Sequence, residues 1–143
     1  MVKADLQVVW FKRDLRVDDH RPFARASRAG PVLPLYVAER DLWQEPDMSA
    51  RQWAFIAECL ADLREDLAAL GQPLVVRTGD IVDILSAIRM DRGITALWSH
   101  EETGNAWTYK RDLRVKAWCR ENGVPWHEEP QTGVIRRIAS RNG

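Results

Sequence analysis

The side chains best suited to chemistry follow an apolar run near the start of the chain. Val8-Val9-Trp10-Phe11 is apolar, β-branched and aromatic, and Lys12-Arg13-Asp14-Leu15-Arg16 comes directly after it. The apolar run is typical of a strand that is buried on both faces of a parallel sheet. Loops that leave the carboxyl ends of such strands carry the ligand contacts of α/β folds. We therefore expect a binding loop here, held rigid by ion pairs between Asp14 and the two arginines beside it.

A second pattern, His-Glu-Glu, occurs at residues 100–102 and again at 127–129, each time after a predicted strand. Histidine and carboxylate side chains can bind a divalent metal. Neither segment has the H-E-x-x-H spacing of a helical metal site. Solvated loops and polar contacts to an organic ligand are the other two interpretations, and the solvated loop is the simplest.

Several familiar nucleotide and hydrolase motifs are absent from the sequence. It contains no G-x-G-x-x-G after the first strand, no G-x-x-x-x-G-K-[ST] and no G-x-S-x-G. This argues against a dinucleotide oxidoreductase, a P-loop enzyme and an α/β-hydrolase. The tryptophans offer a different chemistry, because Trp43, Trp98 and Trp107 lie at or beside predicted strand-exit loops, where indoles stack on flat heterocycles. Trp10 and Trp53 lie in core patterns instead, as does Trp118.

Composition and charge narrow the class of protein. The 143 residues are enough for one domain, and 21 basic against 21 acidic residues give no net charge. Strong sequence-independent attraction to nucleic acid is therefore not expected of this segment. Cys59 and Cys119 lie in helical patterns and predict reduced core thiols of a cytoplasmic protein. No membrane span and no signal peptide are expected.

The elements alternate strictly between strand and helix. After the first strand, Asp18 or Asp19 should cap a helix with Pro22 in its first turn, and this helix should end near Ala29-Gly30. Ser49 and Gln52 fit a capping box, and an apolar stripe follows at three- and four-residue spacing. The stripe comprises Trp53, Ile56, Leu60, Leu63, Leu67 and Leu70, and Gly71 should end the helix. The remaining strands are expected at 32–37, 74–76, 94–99 and 124–127, with helices after Asp80 and over 106–122.

This alternation predicts an α/β fold, a Rossmann-like five-stranded parallel sheet of order 3-2-1-4-5 with helices on both faces. Residues 4–130 would form the domain and residues 131–143 the start of a linker. The crevice should lie where strands 1 and 4 diverge, among the loops 12–19, 39–48 and 100–105.

The opening segment resembles the signature of the DNA photolyase/cryptochrome family. The match is Val9-Trp10-Phe11-Lys12-Arg13-Asp14-Leu15-Arg16-Val17-x-Asp19. Residues 32–37, 49–51 and 74–80 agree with the family in order and spacing, and Arg111-Asp112 falls where its fourth crossover helix carries a similar pair. The resemblance implies the N-terminal α/β domain, which holds a light-harvesting antenna chromophore, in a fragment of a longer protein.

The family's chemistry then belongs to a separate helical domain that binds FAD and damaged DNA. There, antenna energy reaches reduced FAD, which donates an electron to a pyrimidine dimer. A deoxyribodipyrimidine photolyase is the interpretation that we favour, with a cryptochrome blue-light photoreceptor as the alternative. The 143 residues alone would perform no catalysis and bind DNA weakly. Two further alternatives are a stand-alone nucleotide-binding module and an interaction domain that has lost its ligand.

The resemblance also implies chromophore contacts. These are Phe11, Lys12, Arg13, Glu39, Met48, Arg51, Glu101 and Glu102, whereas Asp14 and Arg16 should fix the loop. Folate-binding members carry an Asn-Glu pair at the start of the fourth crossover helix, where this chain has Trp107-Thr108. A deazaflavin- or lumazine-like chromophore is therefore expected rather than a folate.

Overall fold

The computed structural model describes residues 5–39, 50–102 and 104–130. Strands and helices alternate along these residues, as the sequence predicts. In order they are β1 Gln7–Phe11, α1 Arg21–Ala29, β2 Val32–Ala38, α2 Ala50–Ala69, β3 Val75–Thr78, α3 Ile81–Arg92, β4 Ala96–His100, α4 Ala106–Asn122 and β5 Trp126–Glu129. The predicted cap Ser49 and the predicted linker, residues 131–143, lie outside the described residues. None of the helices described is long and apolar enough to cross a membrane.

All five strands are parallel, and their order is β3-β2-β1-β4-β5, which confirms the predicted Rossmann-like topology. The central strand β1 is fully buried, so its side chains alternate between two apolar layers. Val8 and Trp10 pack with the layer under α3 and α4, whereas Val9 and Phe11 pack with the layer under α1 and α2. The sheet therefore carries helices on both faces.

The N-cap of helix α1 lies one residue after Asp19 and two residues after Asp18, the two predicted caps. The N-cap is His20, whose Nδ1 accepts a hydrogen bond of 3.0 Å from the Phe23 amide. The prediction of Asp18 or Asp19 is wrong because Asp19 has a φ of +53°, a left-handed turn that leaves His20 in the extended backbone of a cap residue. Pro22 lies in the first turn, as predicted.

Helix α2 buries less of its apolar stripe than the spacing predicts. Leu63 and Leu67 are fully buried against the sheet, but Leu70 is 56% exposed and Trp53 is 37% exposed. The expectation that Trp53 lies in the core is therefore wrong, because the packed layer reaches along α2 only as far as Ile56. Gly71 adopts a φ of +77°, and this left-handed turn ends the helix as predicted.

The last three strands lie later in the chain than their predicted ranges. His100 is therefore the final residue of β4 and is 1% exposed, rather than part of an exit loop. Pro34 is buried in β2, although a proline favours an edge position. Pairing between β2 and β3 begins only at Leu35, so on that side of Pro34 no strand needs the amide hydrogen that proline lacks.

Candidate functional site

A cavity of about 470 Å³ lies at the carboxyl ends of β1 and β2 and is walled on one side by α2. This is the edge of a parallel sheet at which ligands of α/β folds bind. Its apolar wall contains Trp10, Phe11, Leu15, Tyr36, Val37, Phe55, Ile56 and Cys59. Its polar side chains are Lys12, Arg13, Glu39, Arg51, Gln52, Glu102 and Arg111.

The structure brings six of the predicted contact residues to this one cavity: Phe11, Lys12, Arg13, Glu39, Arg51 and Glu102. They come from the end of β1, the end of β2, the first turn of α2 and the segment after β4. Glu101 is exposed and does not line the cavity, and its amide bonds to the Glu129 carbonyl in the neighbouring strand. Met48 lies outside the described residues.

Most of the α2 wall was not predicted from the sequence. Phe55, Ile56 and Cys59 face the cavity together with Gln52, and their spacing of three and four residues places them on one side of the helix. That spacing is the signal that could have identified them. Cys59 is consequently half-buried at the cavity and not a core thiol, whereas Cys119 is buried as expected.

Arg111 of α4 is the centre of a buried ionic network at the cavity. Its Nη1 donates to Glu39 Oε2 at 2.6 Å, its Nε donates to Asp112 Oδ1 at 2.9 Å, and its Nη2 donates to Glu102 Oε1. Burial alone would lower the pKa of Arg111, but these three carboxylates raise it above its ordinary value. Arg13 extends the network, since its Nε lies 3.3 Å from Glu102 Oε2.

Glu39 is the most perturbed carboxyl group of the cavity. It is 5% exposed, and burial raises its pKa to about 7 despite the opposing effect of Arg111, with Glu102 and Asp112 adding to the rise. Only Oε2 is bonded to Arg111. Oε1 is buried and has no hydrogen-bond partner among the residues that the structure describes.

Lys12 is held as a buried cation beside the same network. Its Nζ lies 4.3 Å from the centroid of the Trp10 ring, 5.6 Å from that of Trp126 and 3.7 Å from Asp112 Oδ2. Burial lowers its pKa, and the Asp112 charge opposes that effect. Two indole faces and one carboxylate thus stabilise the ammonium group.

The loop after β1 is fixed by two histidines that bind Asp14 and by Arg16, whose Nε donates to the Asp18 carbonyl at 3.1 Å and whose Nη2 donates to the Asp19 carbonyl at 3.3 Å. Asp14 Oδ2 accepts from His20 Nε2 at 2.5 Å and from His100 Nδ1 at 2.7 Å, and Asp14 Oδ1 accepts from the Lys12 amide at 2.8 Å. The predicted pairing of Asp14 with the flanking arginines is wrong, since Arg13 pairs with Glu102. Burial would raise the pKa of Asp14, but the hydrogen bonds from His100 and His20 hold it well below its usual range.

Asp14, His20 and His100 also have metal-binding side chains, and their ligand atoms lie within 4.8 Å of one another. The hydrogen bonds argue for shared protons instead. His20 Nδ1 accepts from the Phe23 amide, so the ring proton is on Nε2, which donates to Asp14. A metal-bound histidine normally donates from its other nitrogen, so a metal on Nε2 would require loss of the helix cap. The residues present do not fit a metal.

The second His-Glu-Glu segment has a structural role in β5. Glu129 is buried and pairs with Arg25 of α1, and its Oε1 lies 3.9 Å from Arg21 Nη1. His127 stacks on Trp98 with 4.2 Å between ring centroids. Trp98 itself is buried and donates to Gln7 Oε1, so it does not reach the cavity.

Known proteins that resemble this chain identify its family. The DNA photolyase family model matches residues 7–139. The chain belongs to this family. A cryptochrome DASH of Oryza sativa is 34% identical over 94% of this chain and 24% of its own length. A deoxyribodipyrimidine photo-lyase of Salmonella typhimurium is 37% identical over 61% of this chain and 18% of its own length.

Solved structures agree with the photolyase fold. A bacterial class III photolyase from Agrobacterium tumefaciens superimposes with a TM-score of 0.78 at 24% identity, over 91% of this chain and 26% of that one. A Synechocystis cryptochrome gives a TM-score of 0.78 at 21% identity, over 90% and 28%. The chain thus spans about a quarter or less of the curated relatives it matches, and it corresponds to the N-terminal domain of the photolyase/cryptochrome family.

Proposed function

We propose that this domain binds an antenna chromophore in the cavity at the ends of β1 and β2. The cavity itself carries the proposal. Its volume of about 470 Å³ lies within the range of small-molecule sites, and it combines an apolar wall with a few polar groups. Phe55 is 66% exposed on the α2 wall, and a flat aromatic ligand would cover it. Phe11 and Tyr36 supply further rings on the sheet side.

The chromophore that we propose is flavin-like, a deazaflavin or a lumazine, rather than a folate. Trp107 and Thr108 replace the Asn-Glu pair of folate-binding members. Thr108 is buried, its amide donates to Asn105 Oδ1 at 3.0 Å, and its hydroxyl donates to the Asn105 carbonyl at 2.9 Å. Its polar groups are therefore used within the helix cap and do not reach the cavity.

For the whole protein we propose light-driven repair of pyrimidine dimers in DNA. In this account a separate helical domain binds FAD and damaged DNA, and the antenna passes its excitation energy to that FAD. The balanced charge of this chain, 21 basic and 21 acidic residues, gives the domain little attraction of its own for DNA. A blue-light photoreceptor is the second candidate, because cryptochromes and photolyases occur at similar identity among the relatives.

The direct test is a titration of the purified chain with methenyltetrahydrofolate, a deazaflavin, a lumazine and FMN. Absorbance and tryptophan fluorescence would report binding. We expect saturable binding of a flavin-like compound, together with quenching of the tryptophan emission. Binding of the folate alone would contradict the proposed chromophore. Absence of binding by all four would favour an interaction domain that has lost its ligand.

A pair of variants locates the binding site. Cys59→Trp places an indole in the cavity, and we expect it to weaken binding by about tenfold or more through overpacking. Glu58→Trp adds the same side chain at the neighbouring exposed position of α2 and should leave binding unchanged. Equal affinities for the two variants would place the ligand elsewhere on the chain.

A further inference from the structure

We infer that Glu39 recognises a single ring N–H of the bound chromophore through its Oε1 atom; this rests on the proposed function of the cavity. One oxygen of the carboxylate accepts a hydrogen bond, and the other accepts none from the described residues. Oε2 accepts from Arg111 Nη1 at 2.6 Å, whereas Oε1 is buried, lies in a residue that lines the cavity and has no partner among the described residues. A buried oxygen in this state is costly unless a ligand donates to it.

Among the residues that the structure describes, no group around Glu39 donates to Oε1, so we assign the donor to the ligand. On α4, Arg111 is already bonded to Oε2, and Asp112 bears a negative charge. After β4, Glu102 is a second carboxylate that accepts from Arg111. On β2, burial raises the pKa of Tyr36 to about 12, with the charges of Glu39 and Glu102 adding to the rise; its hydroxyl therefore keeps its proton at neutral pH, but it makes no hydrogen bond to Oε1.

Three further cations line the same cavity. Lys12 holds its ammonium group against Trp10 and Asp112. Arg13 pairs with Glu102, and Arg51 lies across the cavity on the first turn of α2. Lys12 and Arg13 are thus engaged with other carboxylates or rings, and Oε1 accepts no hydrogen bond from Arg51.

A single unpartnered oxygen, Oε1 of Glu39, favours a ligand edge that presents a single N–H donor. The imide of a flavin or lumazine presents one N–H between two carbonyl groups, which matches one acceptor atom. The 2-amino-4-oxo edge of a pterin presents two adjacent donors, which suit both oxygens of a free carboxylate. Since Oε2 already accepts from Arg111 Nη1, a pterin would have to share that oxygen with Arg111, whereas the imide needs Oε1 alone, so the geometry favours the imide edge.

This contact makes binding depend on pH. Because Oε2 accepts from Arg111, a proton on Glu39 would lie on Oε1 and would face the ligand N–H as a second donor. Burial raises the pKa of free Glu39 to about 7. Below that pH the proton on Glu39 must be lost when the ligand binds, so affinity falls as pH falls. For one group of this pKa, the loss between pH 8 and pH 6 is about tenfold.

Riboflavin and 3-methylriboflavin test the inference on the unmodified chain, because methylation removes the N–H and keeps the ring. Fluorescence titrations at pH 6 and pH 8 would give the four dissociation constants. We expect riboflavin to bind about tenfold more tightly at pH 8, and 3-methylriboflavin to bind about tenfold more weakly than riboflavin at that pH. Equal affinities of the two flavins, or a flat pH profile for riboflavin, would overturn the inference and leave the proposed function standing.

The Glu39→Gln variant tests whether Glu39 causes the pH dependence of riboflavin affinity. Its amide oxygen can still accept the N–H but cannot titrate, so riboflavin should bind it with no dependence on pH. Retention of the pH dependence in this variant would overturn the inference, because another group would then carry it. Failure of riboflavin, the deazaflavin and the lumazine all to bind the unmodified chain would overturn the proposed function as well. If the variant fails to fold, the comparison of riboflavin with 3-methylriboflavin on the unmodified chain still tests the inference.

Discussion

His100 Nδ1 donates a hydrogen bond of 2.7 Å to Asp14 Oδ2 across 86 residues of sequence. The bond joins the end of β4 to the loop after β1, and His20 Nε2 donates to the same oxygen atom from the start of α1. Lys12 and Glu102 lie on either side of this junction, and both line the cavity. The junction therefore sets the relative position of two cavity walls.

Asp14→Asn should destabilise the domain. An amide cannot accept from both histidines and the Lys12 amide at once, and hydrogen bonds to a charged group contribute about 1.5–3 kcal/mol each. We expect the free energy of unfolding in urea to fall by about 3 kcal/mol. Asp18→Asn is the control in the same loop, where the exposed side chain should matter by less than about 0.5 kcal/mol. Equal losses for the two variants would contradict the role given to Asp14.

Arg111→Met should be more damaging than the same change one turn later on α4. It leaves Glu39 and Glu102 buried without their shared cation, which costs about 3–5 kcal/mol. Arg114→Met breaks a half-exposed pair with Asp80 and should cost less than about 1 kcal/mol. Urea unfolding of both variants would measure the difference. Equal losses for the two variants would contradict the larger contribution that we assign to the buried Arg111 network.

Glu39 should make the domain less stable as pH rises from about 5 to 7.5. Its folded-state pKa of about 7 exceeds its ordinary value of 4.5, so the folded state binds the proton more tightly over that interval. Stability therefore falls with rising pH, by up to about 3 kcal/mol at about 1.4 kcal/mol for each unit of pKa change. Urea unfolding at several pH values would give the slope.

The slope should be smaller in Glu39→Gln, which has no titrating group at this position. Glu101→Gln, at an exposed glutamate, should keep the slope of the unmodified chain. An identical slope in all three proteins would show that Glu39 keeps an ordinary pKa.

The features that could be predicted from the sequence are those that depend on local sequence pattern. The apolar run of β1, the alternation of strands with helices and the turn at Gly71 depend on neighbouring residues, and all three are confirmed. The partners of Asp14 were missed because the bond to His100 spans the chain, whereas the arginines beside Asp14 are merely close in sequence. The pattern of charges in the sequence cannot show which partners Asp14 prefers, because only the folded chain brings the two histidines next to it.

Helix α2 also shows where prediction from local sequence fails. Trp53 fits the apolar stripe by spacing, but the packed layer ends before it, and no local signal marks that edge. Phe55 and Cys59 were missed because they lie off the stripe, on the side of the helix that faces the cavity. Where a helix leaves the core is decided by the strands beneath it and not by its own sequence.

Arg51→Ala should weaken binding of the chromophore. Arg51 lines the cavity from the first turn of α2, where a cation opposes the helix dipole and adds little to stability. We expect several-fold weaker binding in the fluorescence titration, with the free energy of unfolding unchanged. Arg64→Ala, at an exposed position farther along α2, is the matched control. An affinity equal to that of the control would remove Arg51 from the site.

The most direct test of the account is the reactivity of the Cys59 thiol with and without chromophore. Cys59 lines the cavity and is half-buried, whereas Cys119 is buried, so one thiol should react rapidly with a maleimide or with Ellman's reagent. Cys59→Ser should abolish the rapid reaction, which assigns it. A saturating flavin-like chromophore should slow the reaction of the unmodified chain by about tenfold or more, in proportion to occupancy. An unchanged rate while the chromophore is demonstrably bound would place the ligand outside this cavity and contradict the account.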